Sequence, residues 1–262
     1  MRTTIVSRHA LRLVLAALAV SLLAGPAMGQ TLDEVIACNI ESRGGMEAME
    51  AIETAKLTGN LAMGGGMEAP FTLFVARPDK MRMEIEIQGM KGIQAYDGET
   101  GWAEMPFMGN PEPQKMADDQ LKQTRQQADF DGPLVNWKEK GHQIELVGQK
   151  DLDGTEAHEL NVTLADGDTM TIYLDTEYCL QLRQERKINM QGHEMDINVI
   201  LGDYKEVAGV VFPHSYEQRF AGAAAGQMMT IENIEVGVEV NDAMFTMPEP
   251  KAEEPAAAAG GR

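Results

Sequence analysis

The sequence predicts a mainly β protein with a few helices (α+β), one large domain of antiparallel strands forming a barrel or an open, curved sheet. Three observations carry this reading. From Thr54 onward apolar residues recur with a period of two, the spacing that sends alternate side chains to opposite faces of a strand. Turn pairs, among them Asp97-Gly98 and Asp166-Gly167, separate these runs at hairpin-like intervals. The chain without its leader is about 230 residues, a length that sheet domains reach undivided.

The leader comes first. Arg2, Arg8 and Arg12 precede the uncharged run Leu13 to Ala24, which closes at Gly25-Pro26 and the small-residue site Ala27-Met28-Gly29. This is the pattern of a cleavable secretory signal over residues 1–29. The run is too short to span a bilayer, which takes roughly 20 apolar residues. Gln30 then becomes the first mature residue, so no lipidated cysteine anchors the chain. The reading is a soluble, exported, periplasmic protein that is not membrane-anchored.

The mature domain opens with a helix. Thr31 and Glu34 form a capping-box pattern, with Leu32, Val35, Ile36 and Ile40 at helical spacing. Gly44-Gly45 should break this helix, which resumes briefly through Met46 to Ile52. Strands are expected at 54–63 and 68–77 around the Gly64-Gly65-Gly66 turn, then at 80–88, 91–96 and 101–105. Residues 114–130 lose the alternation and end at Gly132-Pro133, predicting a surface helix that crosses the sheet or covers its opening. Further strands are expected at 143–149, 155–164, 169–175, 179–190, 194–205, 210–219, 227–236 and 243–246. Beyond Pro248 the Pro/Ala/Glu-rich stretch 249–262 reads as a disordered tail after a domain at 30–248.

Composition excludes several functions. The 262 residues include 22 basic and 41 acidic ones, a net charge of −19, and loss of Arg2, Arg8 and Arg12 with the leader makes it −22. Such a surface repels nucleic-acid backbones and anionic headgroups. His142, His158, His193 and His214 stand in no paired metal-ligand spacing, so no metal or other cofactor is expected. No nucleophile elbow, phosphate loop or Cys-x-x-Cys is present, and no catalytic residue is assigned. Cys38 and Cys179 read either as a disulfide or as two buried thiols. Of 19 methionines, 17 remain after Met1 and Met28 leave, and several fall on apolar strand faces as core filler or cavity lining.

The segments Arg77-Pro78-Asp79-Lys80-Met81-Arg82, Ala95-Tyr96-Asp97-Gly98-Glu99-Thr100-Gly101-Trp102 and Met244-Phe245-Thr246-Met247-Pro248 carry a resemblance to the LolA-like family of periplasmic lipoprotein carriers. The Arg43-Gly44-Gly45 start and Gly202 to Pro213 look more like its uncharacterised relatives than like the dedicated carrier. The resemblance implies a LolA/LolB-like, half-open antiparallel β-barrel covered by helices, whose apolar interior receives lipid or lipoprotein acyl chains for outer-membrane lipoprotein sorting. An envelope receptor or transporter is the further partner such a carrier implies. The expected lining is Phe71, Leu73, Val75, Met81, Met83, Ile85, Ile87, Leu160, Val162, Ile172, Leu174, Ile197 and Val199, positions that suit core packing equally well. The competing reading is a non-carrier envelope interaction module with a filled barrel.

Overall fold

The structure is a computed structural model and describes residues 30–64, 66–190, 193–222 and 226–249; the leader and the tail beyond 249 lie outside the described residues. Helix α1 (Leu32–Ser42) starts at the capping box read from the sequence. The Thr31 hydroxyl accepts from Glu34 N, and the Glu34 carboxylate accepts from Thr31 N. After Gly44-Gly45 comes α2 (Gly45–Glu50). Gly44 has φ 113°, and a Cβ there would sit 2.0 Å from Gly209 O, so only glycine lets the junction press on the opposing hairpin. Val211 N donates to Arg43 O at the same contact.

Thirteen strands form a single antiparallel sheet. They are β1 (Thr54–Met63), β2 (Met67–Ala76), β3 (Lys80–Ile87), β4 (Met90–Tyr96), β5 (Gly101–Met105), β6 (Asn110–Lys115), β7 (Gln143–Leu152), β8 (Thr155–Thr163), β9 (Thr169–Asp175), β10 (Gln181–Met190), β11 (His193–Val207), β12 (Val210–Phe220) and β13 (Gln227–Val236). The order is β6-β5-β4-β3-β2-β1-β13-β12-β11-β10-β9-β8-β7. The ends β6 and β7 are not paired to each other, so the sheet is open, not closed into a barrel. Two-residue turns such as Gln88-Gly89 and Ala208-Gly209, with both φ values positive, match the twist of the strands that they join.

Helix α3 (Asp118–Ala128) reveals the curvature. It bonds to Gln94 on β4 and to Asp168 before β9, strands eight steps apart in the sheet. A flat sheet would separate them by about 38 Å, whereas 11 helical residues span about 16 Å. The sheet therefore curls, with α3 lying across its concave side.

Two predictions fail locally. The helix expected at 114–130 is confined to Asp118–Ala128, because residues 110–115 pair as edge strand β6, where Pro111 and Pro113 are tolerated since an edge position leaves one side of the backbone without ladder bonds. The strand expected at 243–246 is instead a 3-10 turn, Asp242–Met244, capped by the Asn241 side chain.

The motifs that carried the family resemblance have structural work. Arg77 makes two hydrogen bonds to the Asp131 carboxylate and donates to the carbonyls of Ile52 and Met49, tying strand to helix. Asp97 Oδ1 accepts from Glu99 N and Thr100 N, fixing its hairpin. On the convex face the buried Trp102 indole donates to Phe245 O at 2.7 Å, joining the two motifs into one packing unit.

Candidate functional site

Cross-strand partners point to the same side of a sheet, so the register defines a continuous inner face. One row runs Ile144, Val162, Met170, Arg186, Ile197; the next runs Leu146, Leu160, Ile172, Gln184, Val199. Leu201 continues through Tyr216 and Met229 to Leu61. Leu57, Leu73 and Met83 form another row, with Ala55, Val75 and Met81 below and Phe71 with Ile85 above. All thirteen residues expected as lining lie on this one face.

Their surroundings divide them. Leu160, Val162, Ile172 and Leu174 are at most 1 % exposed and pack with Val35 of α1 and Leu134. Phe71, Val75 and Met81 are buried in the second core with Met49, Ile52 and Tyr96. Leu73, Met83 and Ile85 only partly cover that core; Ile87 and Val199 are also partly exposed, whereas Ile197 is buried. The face is thus sealed at β8–β9 and partly open at β2–β3 and β11.

The covers differ too. Helix α1 is fixed over the sealed half by the Cys38–Cys179 disulfide, whose Cα atoms are 5.7 Å apart, and by Asn39 donating to Cys179 O. Helix α3, which packs on β3–β5 and reaches the turn between β8 and β9, is held mainly by polar contacts. Lys122 pairs with Asp168, Gln126 donates to Asp166 and Asp168, Gln94 donates to the Thr124 hydroxyl, and Arg125 donates to the Tyr96 hydroxyl. Only Leu121 and Ala128 join it to the apolar core. Between α3 and β4–β6 lies a cavity of about 350 Å³, bordered by Met105, Met108 and Met116 and by Gln94, Gln114 and Gln120.

Several polar groups interrupt the apolar interior. Burial raises the Tyr204 and Tyr216 hydroxyls, Tyr216 to about 12, keeping both neutral. Burial also lowers Arg43, against the pull of Asp131, and Arg43 Nη1 donates to Asp131 O. His158 is buried with Nε2 unpartnered, and burial lowers its pKa. Arg186 stands in the inner row between Met170 and Ile197. Sequence reading passed over it; the available signal was a cation at the inward parity of a strand that also places Ile188 inward.

No family model and no curated protein matches the sequence. Solved structures do match it. A DUF1329 family protein from Desulfovibrio piger superposes with a TM-score of 0.58 at 10% identity, covering 82% of this chain and 96% of that one. A LolA superfamily protein from Nitrosomonas europaea gives a TM-score of 0.56 at 12% identity, with 80% and 96% covered. An outer membrane lipoprotein-sorting protein domain from Vibrio parahaemolyticus gives 0.54 at 10% identity, with 80% and 94% covered. The open antiparallel sheet with its few covering helices is therefore the fold of these proteins, a LolA-like fold.

Proposed function

We propose that the protein is a periplasmic carrier that holds lipid or lipoprotein acyl chains against the open half of its inner face. The observation that carries this reading is the continuous apolar face that stays partly exposed at Leu73, Met83, Ile85, Ile87 and Val199, next to a helix that packs on β3–β5 and is held mostly by polar contacts. Each buried CH₂ contributes about 0.8 kcal/mol, so ten would give about 8 kcal/mol, a micromolar affinity. Exchanging α3 contacts for water costs little, because exposed ion pairs are worth about 1 kcal/mol or less. The exported location rests on the signal at 1–29; among the described residues no helix is long and apolar enough to cross a membrane.

An acyl probe whose fluorescence rises in apolar surroundings tests this. The mature protein should bind it, and Ile85→Glu should abolish binding while the unfolding transition remains cooperative. Unchanged binding in Ile85→Glu would remove β3 from the site. The sealed β8–β9 half and the modest cavity favour a second reading, an envelope interaction module without cargo; absence of any probe binding would select it.

A further inference from the structure

Arg186 is a cation on an apolar wall with little to balance it. Its Nη1 donates to Gln126 Oε1 at 3.3 Å, and its Nε is buried without a hydrogen-bond partner. Among the described residues no carboxylate is within ion-pairing distance; the nearby Asp168 is engaged by Lys122 and Gln126. Such a guanidinium is costly, since burying a charge unpaired is penalised and an apolar side chain here would simply continue the face. Burial accordingly lowers its pKa, with Asp168 opposing.

The guanidinium borders a cavity of about 100 Å³ under α3, whose other charged walls are Asp119, Asp168, Lys122 and Lys187. These four cancel, leaving the charge of Arg186 for an incoming group of single negative charge. Ile188 borders the same cavity, and Val199 and Leu201 continue the inner face on β11.

We infer that Arg186 is the anion-recognising residue of the inner face, receiving the monoanionic oxyacid head of an amphiphile whose acyl chain runs from there along Val199 and Leu201. The planar fork of N–H donors suits a carboxylate or a phosphodiester, and charge-assisted bonds are the strong ones. This inference rests on the acyl-binding reading and narrows its ligand to acidic lipids.

The test is displacement of a neutral fluorescent acyl probe from the mature protein, Arg186→Gln and Arg186→Leu. The competitors are oleate, methyl oleate, oleoyl lysophosphatidylglycerol and inorganic phosphate. In the wild type an acidic lipid should compete about tenfold to a hundredfold better than methyl oleate, the factor that a charge-assisted hydrogen bond supplies. Both variants should reduce that ratio to about one by weakening the acidic lipids and should keep or raise the melting temperature. Preference for oleate identifies a carboxylate head and preference for the lysolipid a phosphodiester; competition by inorganic phosphate alone would overturn an amphiphile site. The inference also falls if discrimination is absent from the wild type or survives in the variants, including where they lose only stability. Failure of the probe and every lipid to bind would overturn the acyl-binding reading with it, whereas equal binding of oleate and methyl oleate overturns this inference alone.

Discussion

The two halves of the inner face use the same strand alternation to different ends. At β8–β9, Leu160, Val162, Ile172 and Leu174 vanish beneath a helix that a disulfide fixes in place. At β2–β3, Leu73, Met83 and Ile85 stay partly exposed, and the neighbouring helix α3 packs on β3–β5 and is held by Lys122, Gln126 and Arg125. Apolar alternation is therefore not by itself a binding site. The cover decides: a covalent clamp and an apolar helix face make core, while a thin apolar stripe and polar contacts leave a surface that can exchange side-chain contact for cargo.

The largest expected effects break the comparison directly. Leu160→Ala should cost about 2–5 kcal/mol in urea unfolding, whereas Met83→Ala should cost about 1 kcal/mol; equal losses would show that both halves are core. Cys38→Ser, read the same way, should cost about 2–5 kcal/mol, because the bridge closes a loop of sequence separation 141. Its hydrogen exchange should quicken in α1 before α3, and uniform quickening would contradict a clamp local to the sealed half.

Acid should act on the sealed half. Burial lowers the pKa of His158 below its ordinary value of 6.5, against the weaker pull of Asp175. The unfolded chain then takes up the proton first, so this contribution is complete above about 6.5 and is lost as pH falls through the folded value. His158→Gln should flatten that part of the stability–pH curve; an unchanged curve would leave His158 without this role.

The smallest effect belongs to α3. Lys122→Ala should lower global stability by less than about 1 kcal/mol, yet quicken amide exchange within Asp118–Ala128, as added salt should. Unchanged exchange there would mean that Leu121 and Ala128, not the ion pair, hold the helix.

Much of this architecture was legible because strand parity is written residue by residue. Met81, Met83, Ile85 and Ile87 alternate with Arg82, Glu84 and Glu86, and the register carries the same face across the sheet. Strand β6 was not legible, since Pro111 and Pro113 are tolerated only by virtue of an edge position that emerges from the whole sheet. The division into sealed and open halves was invisible for a similar reason: Leu160 and Leu73 read alike until Val35 covers one of them. The pairing of Cys38 with Cys179 likewise depends on α1 docking beside the β9–β10 turn. The motifs resembling a family proved informative about fold, because Arg77, Asp97 and Trp102 fix helix, hairpin and C-terminal turn instead of lining the open half.

Whether the open half holds acyl chains is decided by native mass spectrometry of the mature protein, exported by a bacterial host and purified without detergent, followed by extraction and identification of anything bound. A stoichiometric lipid or acylated peptide should be found, lost in Ile85→Glu and retained in Lys122→Ala. A bare protein mass, with no uptake of added fatty acid or lipopeptide, would contradict acyl binding there.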